Sequence, residues 1–364
     1  MTITQLTAED VPVLMAGAQL LSSSAGSITL DGYRAAIEDV VRRNGPVPLV
    51  ALDDLPPEAL CVSIGALGGY APMIELPPNG DEGVLAVRAL EERLGRKVDA
   101  IVSLNSAGPN AVFPVAAAAA LGLPLVDCDG MGRVLPLMIQ TTYALAGLPI
   151  GPLAGVGLAG DVLVLDSSMH RSELLLRAAM KAAGGWLMCA SYPATVAALR
   201  PAALRGATSR TLTVGRMLTS AQDRESLLAG LTRIMGSRVL GSGRVIELGH
   251  ATRTVGPRIY PSVPTSIVVA EYGSPSRLIR LEGNSELLLA VIDGALAAAV
   301  PDVLCLLDRH ERKVVGMESV TLGHHVDVLM LPVSPMWHTP AGLAIAGPRA
   351  FGFPVRHPRE EGPS

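Results

Sequence analysis

The chain has 364 residues, 49% of them hydrophobic and 17% charged, with a net charge of −4 at neutral pH. That length fits two domains or one large one, and so much apolar content excludes a disordered chain. The acidic balance, with no run of Lys and Arg interleaved with aromatics, excludes a nucleic-acid-binding surface.

Aromatics supply only 3% of residues, so the core must be built mainly from Ala, Leu and Val. In chain order, Thr7-Ala8-Glu9-Asp10 predicts the start of a first helix, with an acidic residue three positions after the capping Thr. The small-residue loop Ser22-Ser23-Ser24-Ala25-Gly26-Ser27 follows. It fits two readings equally: a cradle for a carboxylate or phosphate, in which Ser23 and Ser24 would touch substrate, or an ordinary turn. Residues 33–43 predict a second helix, and residues 48–52 and 60–64 short apolar strands. Val84, Leu85, Val87, Leu90 and Leu94 follow a helical period. Residues 99–104 predict a further strand, closing on the polar turn 105–110. An Ala-rich helix runs to Gly122, and the strand at 123–126 ends at Asp127.

This alternation predicts a three-layer α/β domain over residues 1–235, with a mostly parallel sheet. Ligands bind such sheets beyond the carboxyl ends of the strands. The turns at 105–110 and 127–133 are therefore the predicted site. Asp127-Cys128-Asp129-Gly130-Met131-Gly132-Arg133 is the densest polar cluster in an apolar stretch. Charges at a buried strand end must be paired or have a role. Either a desolvated Asp127 or Asp129 acts as a base while the other pairs with Arg133, or an Asp–Arg pair merely pins the turn. The first reading is favoured. Cys128 has no adjacent His or Lys to activate it and reads as a buried, inert thiol.

Residues 134–160 carry no charge and are long enough to span a bilayer, but Pro136, Pro149, Pro152, Gly147, Gly151, Gly155 and Gly157 interrupt them. They predict a buried helix–loop–strand. The GxGxxG string at 155–160 runs into the strand-like Asp161-Val162-Leu163-Val164-Leu165, so it predicts a connection rather than a dinucleotide site. His170 opens a helix in which Glu173 and Arg177 are spaced as an i,i+4 pair. His170 either reaches the cleft as a substrate contact or sits at an exposed helix start. Residues 186–190 read as a strand and 223–235 as an amphipathic helix.

Short strand-like runs at 244–248, 266–271, 277–281, 287–292, 303–307 and 326–331 fit a small β-barrel or sandwich, and a smaller β-barrel-like domain is expected over residues 236–335. The tail, 336–364, is expected to return to the first domain. His325 and Asp327 alternate on one strand face as metal ligands do, but no third ligand is near, and a solvent-facing strand start is the better reading. No cofactor is predicted; a divalent metal is left open without a ligand set to support it. Cys61, Cys128, Cys189 and Cys305 are scattered, and MTITQLTAED lacks the features of a signal peptide, so a cytoplasmic protein is expected. So apolar a chain is expected to form a homo-oligomer and to take a small-molecule substrate, with neither nucleic acid nor membrane as partner.

The string LGLPLVDCDGMGRVLPLMIQTTYALAGLP resembles the S-methyl-thiohydantoin desulfurase-like family. So do LTAEDVPVLMAGAQLL, RPAALRGATSRTLTVGR, LIRLEGNSELLLAV, PDVLCLLD and WHTPAGLAIAGPRAFGF, so the resemblance covers nearly the whole chain. It implies an α/β domain followed by a β-barrel-like one, and a cytosolic enzyme that replaces the sulfur substituent of an S-methylated thiohydantoin by oxygen from water. The first hypothesis is a hydrolase or lyase acting on a small polar heterocycle, hydantoin-like or thiohydantoin-like, with Asp127 or Asp129 as the base, Arg133 orienting a substrate carboxylate, and Asn105 and Asn110 donating hydrogen bonds. Asn284 and Glu286 match further family positions. The family's Gly-rich loop is here Ser22-Ser23-Ser24-Ala25-Gly26, and two of its carboxylates are replaced, at Asn105 and Leu137. The alternatives are a diverged member running a cyclisation or dehydration, and a non-catalytic binding subunit.

Overall fold

A computed structural model describes residues 3–24, 29–250, 265–273, 277–284 and 286–360. The chain divides into two compact units. One is Met1–Ala18 with Thr29–Thr213, the other Gln19–Ile28 with Val214–Ser364.

The first unit begins with β1 (Gln5–Leu6), α1 (Asp10–Leu20, which runs on into the second unit), α2 (Thr29–Asn44), β2 (Val47–Val50) and β3 (Leu60–Gly68). Then come α3 (Tyr70–Glu75), α4 (Glu82–Leu94), β4 (Ala100–Ser103), α5 (Phe113–Leu121) and β5 (Leu125–Asp129). It continues through α6 (Thr142–Leu145), β6 (Leu153–Val156), β7 (Val162–Leu165), α7 (Met169–Ala182) and β8 (Trp186–Thr195). It closes with α8 (Val196–Leu199), β9 (Leu204–Arg205) and α9 (Ala207–Ser220, shared between the units). The strands form one sheet in the order β1-β2-β5-β4-β3-β8-β6-β7, with β9 on β5. The four strands β2-β5-β4-β3 are parallel, and every other pairing is antiparallel. All four residues of β4 are buried, as a strand covered on both faces requires.

Helices cover both faces. Ala154 and Val156 of β6 share a core with α2, α4 and α5. Gly155 lies between them and so faces the other way, where Leu176 of α7 packs. The alanines of α5 let helices approach closely: a Cβ on Gly83 of α4 would stand 3.1 Å from that of Ala117. Asp10 accepts from the N–H and hydroxyl of Thr7, each at 3.0 Å, which closes the cap read from the sequence. The charge-free stretch is broken into the short α6 and β6, and the GxGxxG string forms the antiparallel β6–β7 hairpin. No helix among the described residues is long and apolar enough to cross a membrane.

The second unit contains α10 (Arg224–Met235), β10 (Arg238–Gly249), β11 (Ser266–Glu271), β12 (Leu278–Gly283) and β13 (Leu287–Ile292). It continues with β14 (Ala295–Ala299), β15 (Val303–Asp308), β16 (Val314–Val315), β17 (His325–Leu331) and α11 (Pro340–Ala346). Its sheet is wholly antiparallel, in the order β14-β13-β12-β11-β10-β17-β15-β16. Bulges in the long β10 bend it while alternate residues such as Val245 stay in the core. The end strands β14 and β16 each pair on one side only, so among the described residues the ladder does not close into a barrel.

Candidate functional site

Strands β4 and β5 are neighbours, with Ser103 opposite Asp129, so the turns that follow them meet. Asp129 is buried and binds the two turns together. Its Oδ2 accepts from the Ser106 N–H at 2.7 Å, and its Oδ1 from the N–H groups of Gly132 at 2.9 Å and Met131 at 3.2 Å. Burial pushes its carboxyl above the usual value, against the pull of those N–H donors and of Arg210. Gly130 donates to the Leu104 carbonyl, and its own carbonyl accepts from the Thr142 N–H at 2.7 Å.

Asp127 stands two residues earlier on β5, where the pairing with β4 is irregular. Its Oδ1 accepts from the Ser209 N–H at 3.0 Å in the first turn of α9, where the positive helix end favours a carboxylate. It is only half-buried, and its Oδ2 takes no hydrogen bond. Cys128, between them, is fully buried. Burial first, and Asp129 next, hold its thiol well above the ordinary range, so it stays protonated, as the sequence reading had it.

Arg133 is fully buried, with Nε donating to the Val134 carbonyl at 2.9 Å. Neither Asp127 nor Asp129 pairs with it, so the turn is pinned by backbone amides and not by an Asp–Arg bridge. Asn105 is buried beside Met131, with Nδ2 3.4 Å from the sulfur, and its Oδ1 has no hydrogen-bond partner. Asn110 is committed to β3: its Oδ1 accepts from the Ala66 N–H at 2.7 Å. His170 is exposed at the first turn of α7, and no hydrogen bond ties it to the cluster. Glu173 and Arg177 form the expected pair at 2.7 Å, and Glu173 also accepts from Met138.

Arg210 of α9 escaped the sequence reading. It is half-buried, its charge acts on Asp129, and its Nε is buried without a hydrogen-bond partner. Ser103 Oγ and Ser191 Oγ are likewise buried and unbonded. Buried polar atoms without partners are uncommon in folded proteins and point to an unmade bond with water or ligand. Only the string RGATSR, placing Arg210 a turn into a helix, hinted at it.

Four other candidate residues lie in the second unit. Ser23 and Ser24 are buried in left-handed conformation, φ 53° and 62°. Their carbonyls accept from Leu287 N–H at 3.0 Å and Met317 N–H at 2.7 Å, and Ser24 Oγ accepts from Leu306 N–H at 3.1 Å. The loop thus offers oxygens to its own unit at these positions. The N–H of exposed Asn284 donates to the carbonyl of buried Glu286 at 3.0 Å, next to Leu287. The Ser23–Ser24 and Asn284–Glu286 segments therefore adjoin.

The His325–Asp327 strand is not a solvent-facing start. Asp327 is fully buried, held by Arg224 at 2.6 and 2.7 Å, Arg309 at 3.0 Å and Ser242 at 2.5 Å, while His325 stacks on Tyr272. A separate cluster, Asp302 with His338 and His357, was not legible, because its members are far apart in sequence and share no motif.

Among solved structures, a crystal structure of a protein from Chromobacterium violaceum is similar over 98% of this chain and 99% of its own, at 21% identity and a TM-score of 0.80. It shows the same fold. No protein with a curated description matches. The S-Me-THD-like N-terminal domain matches residues 9–167, and the S-Me-THD-like C-terminal domain matches residues 167–359. With nearly the whole chain covered by these two matches, the protein belongs to the S-Me-THD-like family.

Proposed function

We propose that the protein is a hydrolase or lyase acting on a small polar heterocycle of the hydantoin or S-methyl-thiohydantoin type. The observation that carries this reading is the set of polar groups at the carboxyl ends of β4 and β5. Asp127 keeps one carboxylate oxygen unbonded, and Arg210 and Asn105 have buried atoms without partners. Family membership narrows the substrate class.

In this mechanism Asp127 Oδ2 takes a proton from water as the water oxygen bonds to the ring carbon bearing sulfur. The carbon–sulfur bond then breaks, and the proton passes to the departing thiolate. Asp129, its oxygens bound to three N–H groups, organises the turns instead of acting as the base. Arg210, half-buried and with its Nε unbonded, joins Arg133 in the anion-orienting role. Asn105 contributes hydrogen bonds.

Incubation with an S-methyl-thiohydantoin should release methanethiol and leave the hydantoin, both read by mass spectrometry. Asp127→Asn should lower kcat by about 10²-fold or more, and Arg210→Ala should raise KM. An Asp127→Asn enzyme of unchanged rate would remove the base assignment.

Asn105 and Leu137, standing where the resemblance calls for carboxylates, favour a second reading: a diverged member performing a cyclisation or dehydration, or a subunit that binds without turnover. Calorimetric binding of the heterocycle with no product would select the binding subunit. The four unpaired, buried cysteines support a cytoplasmic location. The exposed Val162 and Val164 on edge strand β7 support a homo-oligomer, which light scattering after gel filtration would test.

A further inference from the structure

The second unit holds a group of titratable side chains that plays no part in the mechanism above. Asp302 lies between β14 and β15, His338 ends the 3-10 turn Pro335–His338, and His357 precedes the turn Pro358–Glu360. All three side chains are at least nine-tenths buried. His338 Nε2 stands 3.1 Å from Asp302 Oδ1, and His357 Nε2 3.4 Å from Asp302 Oδ2. One ligand atom from each residue lies within 4.8 Å of the others. A tetrahedral metal ion about 2.1 Å from each ligand needs donor atoms roughly 3.4 Å apart. Two imidazole nitrogens and one carboxylate oxygen are the donors chosen by zinc and its first-row neighbours. A cavity of about 380 Å³, lined among others by Asp302, His357, Arg238 and Arg359, adjoins the group. It supplies the open coordination position that separates an exchangeable site from a closed structural one.

The other ring nitrogens carry a second piece of information. His338 Nδ1 is 3.2 Å from Arg359 Nη1, and His357 Nδ1 is 3.2 Å from the Arg359 backbone nitrogen. Both of those partners can only donate. Each Nδ1 is therefore an acceptor, and in this form each neutral ring carries its proton on Nε2, directed at Asp302 or, for His357, also at the Ala299 carbonyl. A metal needs the Nε2 lone pairs. Binding it moves each ring proton to Nδ1, where a further N–H donor cannot be accommodated.

We propose that Asp302, His338 and His357 form a divalent transition-metal site of the two-histidine, one-carboxylate type, with a position open to the adjoining cavity. Metal and the Arg359 clasp exclude one another, so loading the site displaces Arg359 from both rings. The site is independent of Asp127 and Arg210, and its failure would leave the proposed hydrolysis untouched.

Cobalt(II) titration of the chelator-treated full-length protein tests this. The wild-type chain should develop the visible bands of four- or five-coordinate cobalt at one equivalent, bleached by added zinc. His338→Gln and Asp302→Asn should lose the bands while keeping a wild-type circular dichroism spectrum. Arg359→Ala removes the guanidinium from His338 Nδ1 and leaves the backbone N–H on His357; it should retain the bands and bind about tenfold tighter, the lower end of the change in metal affinity that altering a ligand's outer partner makes. Absent bands in the wild-type chain would overturn the site, as would equal bands in His338→Gln. If the ligand variants do not fold, the wild-type and Arg359→Ala titrations still decide. Unchanged affinity in Arg359→Ala would overturn the exclusion.

Discussion

Gly130 sits where the turn after β5 passes under the ring of Tyr143, and a Cβ there would lie 2.6 Å from Tyr143 Cε2. Tyr143 is fully buried and packs at a tilt against Tyr192, so it has little room to move. Gly130→Ala should therefore cost roughly 1–3 kcal/mol of stability, measurable by chemical denaturation. The thiols give a complementary test. Burial drives Cys61, Cys189 and Cys305 up to about 12, and Cys128 is held well above its ordinary value by burial and by Asp129. All four should ignore a thiol reagent in the native state and react after unfolding; native reaction at Cys128 would revive it as a nucleophile. The sequence marked Asp127, Asp129 and Asn105 because charges and amides stand out in an apolar run. It did not disclose what each binds, since the partners are backbone amides of Ser106, Met131, Gly132 and Ser209. Such partners leave no trace in residue type.

Elements were legible where periodicity is strong. Helix α4 and strand β4 fall within a residue or two of their predicted places. Helix α10 begins after Asp223, whose side chain accepts from the Ser226 N–H at 2.8 Å. Asp223→Ala should lower stability by about 1 kcal/mol, the usual worth of such a cap. Strand β8 runs five residues past its apolar core, because its antiparallel ladder with β3 carries the polar Ser191 and Thr195 along with it. That ladder is non-local, so no window of sequence contains it. The β6–β7 hairpin is local, yet it was read as a mere connection for a different reason: Gly155 and Gly157 suggest looseness until Leu176 and Ala183 fill the space their missing side chains leave.

At the scale of the whole molecule, acid should act through Asp327. Burial opposes its charge, but Arg224, Ser242 and Arg309 outweigh that and hold its carboxyl below the usual 3.8. A carboxyl lowered by folding stabilises the protein fully above its unfolded value and less as pH falls towards its folded one. Asp327→Asn should thus cost about 3 kcal/mol at neutral pH, near the low end for a broken buried pair because both arginines are partly exposed. The difference between variant and wild type should shrink below pH 3.8, as urea midpoints across pH would show. Two architectural classes, α/β then β, were visible in the change of texture after Gly236. Closure of the second sheet was not, since short strands at even spacing serve an open ladder as well as a barrel.

Ser23 and Ser24 belong by their hydrogen bonds to the second unit, although the first unit occupies the chain between them and Val214. On the ribosome this piece emerges early and must wait for Leu287, Leu306 and Met317. At typical elongation rates of about 5–20 residues per second, that delay is roughly fifteen seconds to a minute. Throughout it, two serines that end in left-handed backbone have nothing to hold them there. A nascent chain stalled before Leu287 should therefore show a protease-sensitive segment near Ser23 that the finished protein protects. Expressed alone, residues 214–364 would lack the oxygens that their own amides require.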